Sequence, residues 1–192
     1  MAARGGGTHG RGSCSVTPMR MPVPLKRRPL DIVLLGFFIF NLLFVSYIIS
    51  LEQIAMSDPA SLSFPFWPPR GAVNLIHWWE KTFDPLLWAR PVWYRATIWI
   101  DVLLFGPFYA VATYAYAHGR EWIRTPSILW AGMMLANVTI IMSEELAGGH
   151  ASPRPLVVLA ANASWLIFPI LVTWRMSRGP HPFTEKLVLP SE

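Results

Sequence analysis

Charged residues and cysteine are both scarce in this chain of 192 residues, and each scarcity excludes a class of protein. Charged types make up 14% of the sequence, about half their usual share in a soluble domain, whereas hydrophobic types make up 53%. A soluble globular enzyme is therefore disfavoured, and the length suits one membrane domain. The single cysteine, Cys14, excludes an intrachain disulfide and a cysteine-rich zinc site.

Several sequence patterns that carry chemistry are also missing. The chain has no glycine-rich phosphate loop, no metal-ligand cluster and no hydrolase nucleophile elbow, so we expect neither a metal nor a cofactor. The net charge of +5 does not indicate nucleic-acid binding, because six of the sixteen lysines and arginines precede Asp31. The five histidines are scattered outside the predicted spans, at His9, His77, His118, His150 and His181.

Four apolar segments have the length of membrane spans. The uncharged run 33–51 has nineteen residues, which at 1.5 Å per residue covers most of a hydrocarbon layer about 30 Å thick. Three further apolar segments follow at 92–117, 126–143 and 156–174. The predicted fold is therefore an all-α membrane protein, a bundle of four transmembrane helices.

Basic residues are distributed unevenly across the predicted membrane. Eleven of the sixteen lysines and arginines lie on the side of the two termini, three of them, residues 26–28, shortly before the first span. This excess predicts that both termini are cytoplasmic. A cleaved signal peptide is the alternative for the first span. That run is longer than a signal core, and residues 50–53 offer no small-residue cleavage pattern.

The composition divides the chain into three parts. Residues 1–30, rich in glycine, arginine and serine towards their start, lack apolar periodicity and are predicted to be a disordered basic tail. The four-helix membrane domain covers residues 31–176. Residues 177–192 are predicted to be a short cytoplasmic tail.

The loops and helix surfaces carry two further patterns. Aromatic residues are concentrated in the long first loop, which indicates either a belt at the membrane interface or a lid over a cavity. A short interfacial helix is predicted there at 72–83. On the third span, Gly132 and Ala136 form one small-residue pair, which favours close helix packing or a homodimer.

Acidic residues near or within the spans are the first candidates for a site. Asp101 lies six residues past Arg95, about 9 Å along a helix axis, and therefore within the hydrocarbon layer. Such an acid is either a hydrogen-bond partner buried between helices or a ligand anchor in a cavity. Glu52 ends the first span and could simply mark the water boundary. Glu144 and Glu145, at the end of the third span, are expected to be solvated.

An amide and an indole lie on one face of the fourth span. Asn162 and Trp165 are three residues apart, which places them on the same side of a helix. Facing a cavity, they could orient a ring system or stabilise positive charge; otherwise they join helices or contact lipid. A few acids, an amide and many aromatic residues among apolar helices suit a sterol or a lipophilic amine as ligand, with membrane lipid around it.

Four sequence motifs resemble a known family. They occur in the order and near the spacing of the EXPERA domain family, most closely its sigma-2 receptor branch. The resemblance covers residues 31–176. The motifs are Asp84-Pro85-Leu86-Leu87, Pro91-Val92-Trp93-Tyr94, Pro107-Phe108 with Ala112-Thr113-Tyr114-Ala115, and Trp122-Ile123-Arg124-Thr125-Pro126.

The resemblance implies a four-helix protein of the endoplasmic reticulum that binds sterols or cationic lipophiles in a cavity open to lipid, with a role in sterol homeostasis or trafficking. It implies that Glu52 faces the ligand amine, that Asp84 supports the site from the loop, and that Asp101 stands where the family has a glutamate. Asn162 and Trp165 complete the implied ligand-binding set.

The fourth span also resembles the emopamil-binding sterol isomerases of the same family, through the run 162–169. If the protein were an isomerase, the resemblance would assign the chemistry to Glu52, Asp101, Asn162 and Trp165. That branch uses a histidine one helical turn before its first-span glutamate, where this chain has Ile48. No residue is therefore assigned a firm catalytic role. Sterol binding without catalysis is preferred, with a double-bond isomerase and a membrane chaperone or trafficking partner as alternatives.

Overall fold

Four long helices dominate the protein, as the hydropathy pattern predicts. The computed structural model describes residues 19–55 and 66–187. The helices long and apolar enough to cross a membrane are Pro29–Ala55, Val92–Ala117, Glu121–Ala147 and Pro155–Ser177, here called the first to fourth spans. Most extend past the predicted runs, because polar residues continue a helix beyond its apolar core. The fourth contains Pro169, and the third opens with a 3₁₀ turn, Glu121–Ile123, before its α-helix, Arg124–Ala147.

The first two spans each contain a π-helical segment, which apolar periodicity does not predict. A hydrogen bond joins the two segments, since the Ser50 hydroxyl donates to the Asp101 carboxylate over 2.8 Å. Gly106 follows directly, and a β-carbon there would lie only 3.0 Å from the Tyr47 hydroxyl oxygen, so any larger residue would require the Tyr47 side chain to shift. The first span runs through Pro29–Phe40, Asn41–Ser50 (π) and Leu51–Ala55, and the second through Val92–Ile100, Asp101–Phe105 (π) and Gly106–Ala117.

Two helices lie in the first loop. The predicted interfacial helix is present as Arg70–Phe83, here called the amphipathic helix, and begins two residues earlier than predicted. A short helix follows at Pro85–Ala89. Asp84 is its N-cap and accepts a hydrogen bond from the Leu87 N–H, and Pro85 suits the first helical position. The aromatic residues of this loop before Phe66 lie outside the described residues.

The two ends of the described chain pair with each other. Strand β1, Arg20–Pro22, runs antiparallel to β2, Thr184–Lys186. After β1, a 3₁₀ turn at Leu25–Arg27 leads into the first span. Residues 20–22 belong to the segment predicted to be disordered, and they are ordered by a partner more than 160 residues away. Local periodicity carries no signal for such a pairing. Residues 1–18 lie outside the described part of the chain.

A buried cluster of ions lies beside this small sheet. The Asp31 carboxylate accepts two hydrogen bonds from Arg175, over 2.8 and 2.9 Å, and one from Arg28 over 3.0 Å. Both guanidinium groups also lie about 5 Å from the ring centre of Phe183. The two ends of the described chain are therefore held together on one side of the bundle.

An aromatic core fills the half of the bundle next to the termini. The Phe37 and Phe168 rings stack at 4.1 Å, and Phe108 stacks on Trp130 at 5.2 Å. Phe38 is completely buried between them. Dense packing at this end leaves the opposite half of the bundle as the place for a cavity.

The outward faces of the spans are apolar. Leu43, Leu103, Leu129 and Ile170, one from each span, are between 57% and 66% exposed, as expected of surfaces that contact lipid. Gly132 and Ala136 also lie on the exposed surface of the third span. The small-residue pair that favours a homodimer is therefore turned away from the bundle interior.

Candidate functional site

A cavity of about 400 Å³ lies between all four spans, in the half of the bundle away from the termini. Its volume is within the usual range of small-molecule pockets. The lining residues come from every span, the amphipathic helix and the short connection after it: Phe44, Val45, Ile49, Ser50, Gln53, Leu75, Ile76, Trp78, Trp79, Asp84, Leu87, Tyr94, Thr97, Ile98, Asp101, Phe105, Met134, Asn137, Val138, Ile141, Glu145, Ala161, Asn162 and Trp165.

Four of the five residues predicted to bind a ligand line this cavity: Asp84, Asp101, Asn162 and Trp165. They come from the first loop, the second span and the fourth span, so the bundle brings together residues up to 81 positions apart in the sequence. The fifth, Glu52, is not among the lining residues. Most of the other lining side chains are aliphatic or aromatic.

Glu52 is engaged by other parts of the protein. It is completely buried, and both its oxygens accept hydrogen bonds of 3.1 Å from Arg90. Its Oε1 also lies 2.9 Å from Nε2 of His77, on the amphipathic helix. The carboxylate therefore joins the end of the first span to the first loop, and its charge is compensated within the protein.

Glu80 completes this group, here called the Arg90 cluster (Glu52, His77, Glu80 and Arg90). The same Arg90 nitrogen that contacts Glu52 lies 3.0 Å from Oε1 of Glu80. Arg90 ends the short helix with a φ of 47°, a left-handed conformation that costs a non-glycine residue roughly 1–2 kcal/mol. Two carboxyl groups bonded to the buried guanidinium hold Arg90 in this conformation.

The Arg90 cluster predicts a pH-dependent stability. Burial raises the pKa of Glu80 from 4.5 to about 8, since loss of hydration outweighs the attraction of Arg90. Between these values the folded protein retains the Glu80 proton while the unfolded chain releases it. The free energy of unfolding should therefore fall as pH rises, by up to about 1.4 kcal/mol per pH unit.

Unfolding in detergent, followed from pH 5.5 to 7.5, would measure this contribution. Glu80→Gln should make the pH profile less steep, whereas the exposed Glu185→Gln should leave it as in wild type. A Glu80→Gln profile parallel to that of wild type would contradict the assignment.

Asp101 lies on the cavity wall inside the membrane-spanning part. It is about nine-tenths buried, and its Oδ2 accepts the Ser50 hydroxyl over 2.8 Å. Both residues belong to the π-helical segments, whose wider turns bring them together and into contact with the cavity. Asp101 and Ser50 therefore form a polar spot on a largely apolar wall.

Asp84 and Glu145 form a second acidic group, here called the carboxyl pair. Their carboxyl groups lie in hydrogen-bonding contact, and both residues line the cavity. Burial raises the pKa of Asp84 above its ordinary value. The expectation that Glu145 is solvated is wrong, since only 1% of its surface is exposed. Glu144 instead points away and accepts a hydrogen bond from the backbone N–H of His150.

Asn162 and Trp165 do share one face of the fourth span, and both line the cavity. The Trp165 indole N–H donates to Oδ1 of Asn41 over 2.7 Å, which fixes the ring against the first span. The Asn162 amide donates to the Val158 carbonyl over 3.0 Å and approaches Oε2 of Glu145 at 3.5 Å. Asn162 and Trp165 therefore have both of the roles that the sequence left open: they hold helices together and they line the cavity.

Sequence reasoning missed Glu80, Arg90 and Glu145, yet two of them carry a readable signal. Glu80 follows His77 by three residues, so both occupy one face of the amphipathic helix. Glu145 continues the stripe of Val138 and Met142, both buried, at helical spacing. Arg90 has no such pattern, because it lies in a connection whose path only the folded chain defines.

A four-span membrane bundle with a largely apolar cavity and buried acids between its helices is the class of protein that these observations define. The model of the EXPERA (EXPanded EBP superfamily) family matches residues 72–176, more than half of the chain, and the protein belongs to that family. This confirms the resemblance that the motifs indicate.

Relatives from three animals extend the similarity beyond the family model. The proteins named Sigma intracellular receptor 2 in Macaca fascicularis and Homo sapiens are each 27% identical over 175 residues, which cover 84% of this chain and 94% of each relative. Sigma intracellular receptor 2 of Xenopus tropicalis is 24% identical over 155 residues, with 75% and 86% covered. The likeness to the sigma-2 receptor branch is thus confirmed along most of the chain.

Proposed function

We propose that the protein binds a lipophilic small molecule, a sterol or a lipophilic amine, in the cavity between its spans. The observation that carries this proposal is a volume of about 400 Å³ enclosed mainly by apolar and aromatic side chains and containing a few buried acids. Such a lining removes the apolar body of a ligand from water, while the polar groups orient it.

The ligand enters from the bilayer in this proposal. Leu75 and Trp78 of the amphipathic helix are each 55% exposed, and Ala161 of the fourth span is exposed as well, although all three line the cavity. These residues mark its rim. A lipophile dissolved in the membrane reaches such a rim without crossing water.

Each lining residue has a proposed part. Asp101 and Ser50 offer a hydrogen-bonding partner to a ligand hydroxyl, and the Trp165 ring packs against the ligand's ring system beside Asn162. We assign Glu52 an indirect role: through Arg90 it holds the amphipathic helix against the first span. Its charge is therefore not available to a ligand amine.

Binding is favoured over double-bond isomerisation. Isomerisation needs an acid and a base on the same ring. Of the four residues that the isomerase resemblance assigns, Glu52 lies apart from the cavity, in the Arg90 cluster. We therefore expect an 8-ene sterol to be retained with its double bond unmoved.

The proposal also includes location and orientation. Residence in the endoplasmic reticulum, a role in sterol homeostasis or trafficking, and cytoplasmic termini are proposed together. The word intracellular in the relatives' names supports the first. The excess of basic residues on the side of the termini, where β1 and β2 pair, supports the last.

A steric block of the cavity tests the proposed function. Ala161→Phe places a ring where the wall is small, and should lower the affinity of purified protein for a radiolabelled sterol by at least tenfold. Ala160→Phe is the matched control, because Ala160 is the preceding residue, is exposed and does not line the cavity. It should bind like wild type.

Product analysis of the same samples, with an 8-ene sterol as ligand, separates binding from catalysis. We expect unaltered sterol to be recovered from wild type. We also expect Ala161→Phe, but not Ala160→Phe, to lose binding. Equal sterol binding by Ala161→Phe and Ala160→Phe would contradict the cavity as the binding site. A shifted double bond would establish the isomerase alternative.

A further inference from the structure

The carboxyl pair forms no ion pair with a basic side chain in the described part of the chain. The ion pairs of residues 19–55 and 66–187 include neither Asp84 nor Glu145. Both side chains are at least 98% buried. In addition, Oε1 of Glu145 receives no hydrogen bond from any described donor. A buried acid that lines a cavity and keeps one oxygen without a hydrogen bond indicates a missing ligand group.

The local hydrogen bonds favour one position for the proton of the pair. Two adjacent buried carboxylates repel each other strongly, so the pair holds at least one proton, and a bound cation favours the form that carries one negative charge. Asp84 accepts hydrogen bonds from the Leu87 N–H, over 3.1 Å, and from the Trp79 indole. These donors favour the charge on Asp84, which leaves the proton on Glu145 to donate to it.

We propose that the carboxyl pair is the anchor for the protonated amine of a lipophilic ligand, whose ammonium N–H donates to Oε1 of Glu145. The inference rests on the proposed function, which it deepens by naming the cation site. The ammonium neutralises the single charge of the pair and satisfies the unpartnered oxygen. A charge-assisted bond of this kind in a water-poor site is stronger than a neutral one.

This anchor gives the ligand a direction. The pair lies at the cavity end beside the amphipathic helix, where Trp78 and Trp79 also line the wall. The apolar body of the ligand then extends towards Phe105 and Trp165. Asp101, which accepts the Ser50 hydroxyl, stands on the wall along that body and is the competing position for the amine.

Matched charge variants test the anchor. The probes are a radiolabelled azasterol with one tertiary amine and the uncharged sterol of the same skeleton. The measured quantity is the ratio of their affinities. Asp84→Asn and Glu145→Gln each leave one carboxyl group that can ionise, so each should lower the ratio by less than about threefold. The double variant, which keeps an amide pair without charge, should lower it by at least tenfold.

Controls separate the anchor from its rivals. Glu144→Gln removes an acid that points away from the cavity and should leave the ratio unchanged. An unchanged ratio in the double variant would overturn the anchor. The same holds if Asp101→Asn, rather than the double variant, lowers the ratio tenfold. If wild type binds neither probe, the anchor and the proposed function both fail. If wild type binds the uncharged sterol but the double variant keeps the wild-type ratio, only the anchor fails.

A spectroscopic measurement on wild type keeps the test independent of folding by the double variant. The infrared band of the protonated carboxyl group, identified by its loss in Glu145→Gln, should shift when azasterol binds. It should shift much less when the sterol binds. A band that responds equally to both probes would overturn the proposal.

Discussion

Replacement of Arg90 by methionine should destabilise the protein by about 3–5 kcal/mol. Methionine is similar in length but leaves the carboxyl groups of Glu52 and Glu80, both completely buried, without their common cation. It also keeps the left-handed backbone conformation at position 90 while removing the side-chain contacts that hold it. Thermal and denaturant unfolding of the purified protein in detergent would measure the loss.

Controls for the Arg90 prediction use its neighbour and its partners. Arg95→Met changes an exposed arginine by the same substitution and should alter stability by less than about 0.5 kcal/mol. A triple variant that adds Glu52→Gln and Glu80→Gln removes the Glu52 charge left without its cation, replaces both carboxyl groups by amides, and should recover most of the loss. Equal effects of Arg90→Met and Arg95→Met would contradict the structural role of the cluster.

The second large effect is expected at the opposite end of the bundle, for Asp31→Asn. Asp31 is completely buried and accepts hydrogen bonds from Arg28 and Arg175, whose side chains are largely buried too. The amide cannot balance two guanidinium charges, so we expect a loss of about 3 kcal/mol, at the lower end of the range for broken buried pairs. Loosening of the β1–β2 pairing should follow.

Unfolding in detergent, together with limited trypsin cleavage after Arg178, would measure both consequences. Glu185→Gln is the matched control, because Glu185 lies on β2 but is exposed. It should keep the wild-type stability and cleavage rate. Stability within about 0.5 kcal/mol of wild type for Asp31→Asn would show that the ends of the chain are held by other contacts.

The Arg90 cluster connects stability to the proposed function. Glu52 belongs to the first span, whereas His77 and Glu80 belong to the amphipathic helix, which contributes Leu75, Ile76, Trp78 and Trp79 to the cavity wall. Loss of the cluster therefore frees one wall of the cavity. Arg90→Met should weaken sterol binding in proportion to its loss of stability, unlike Ala161→Phe, which blocks the cavity without breaking an ion pair.

The differences between sequence and structure at the site have one origin. Asp101, Asn162 and Trp165 could be proposed from the sequence, because an acid at membrane depth usually faces the bundle interior and Asn162 and Trp165 share one face of a helix. Glu144 and Glu145 are adjacent in the sequence and chemically identical, and only the phase of the third span decides that one faces water and the other faces Asp84.

The sequence by itself determined the membrane class, the four spans and the amphipathic helix. Each follows from hydropathy within a single segment, and burying apolar residues in a bilayer does not depend on the neighbouring helices. Only the tertiary structure decided which charges meet. Arg90 pairs with Glu52 and Glu80, and Asp31 pairs with Arg175, across 38, 10 and 144 residues. A buried charge is satisfied by whichever partner the packing brings near, and sequence spacing does not encode that distance.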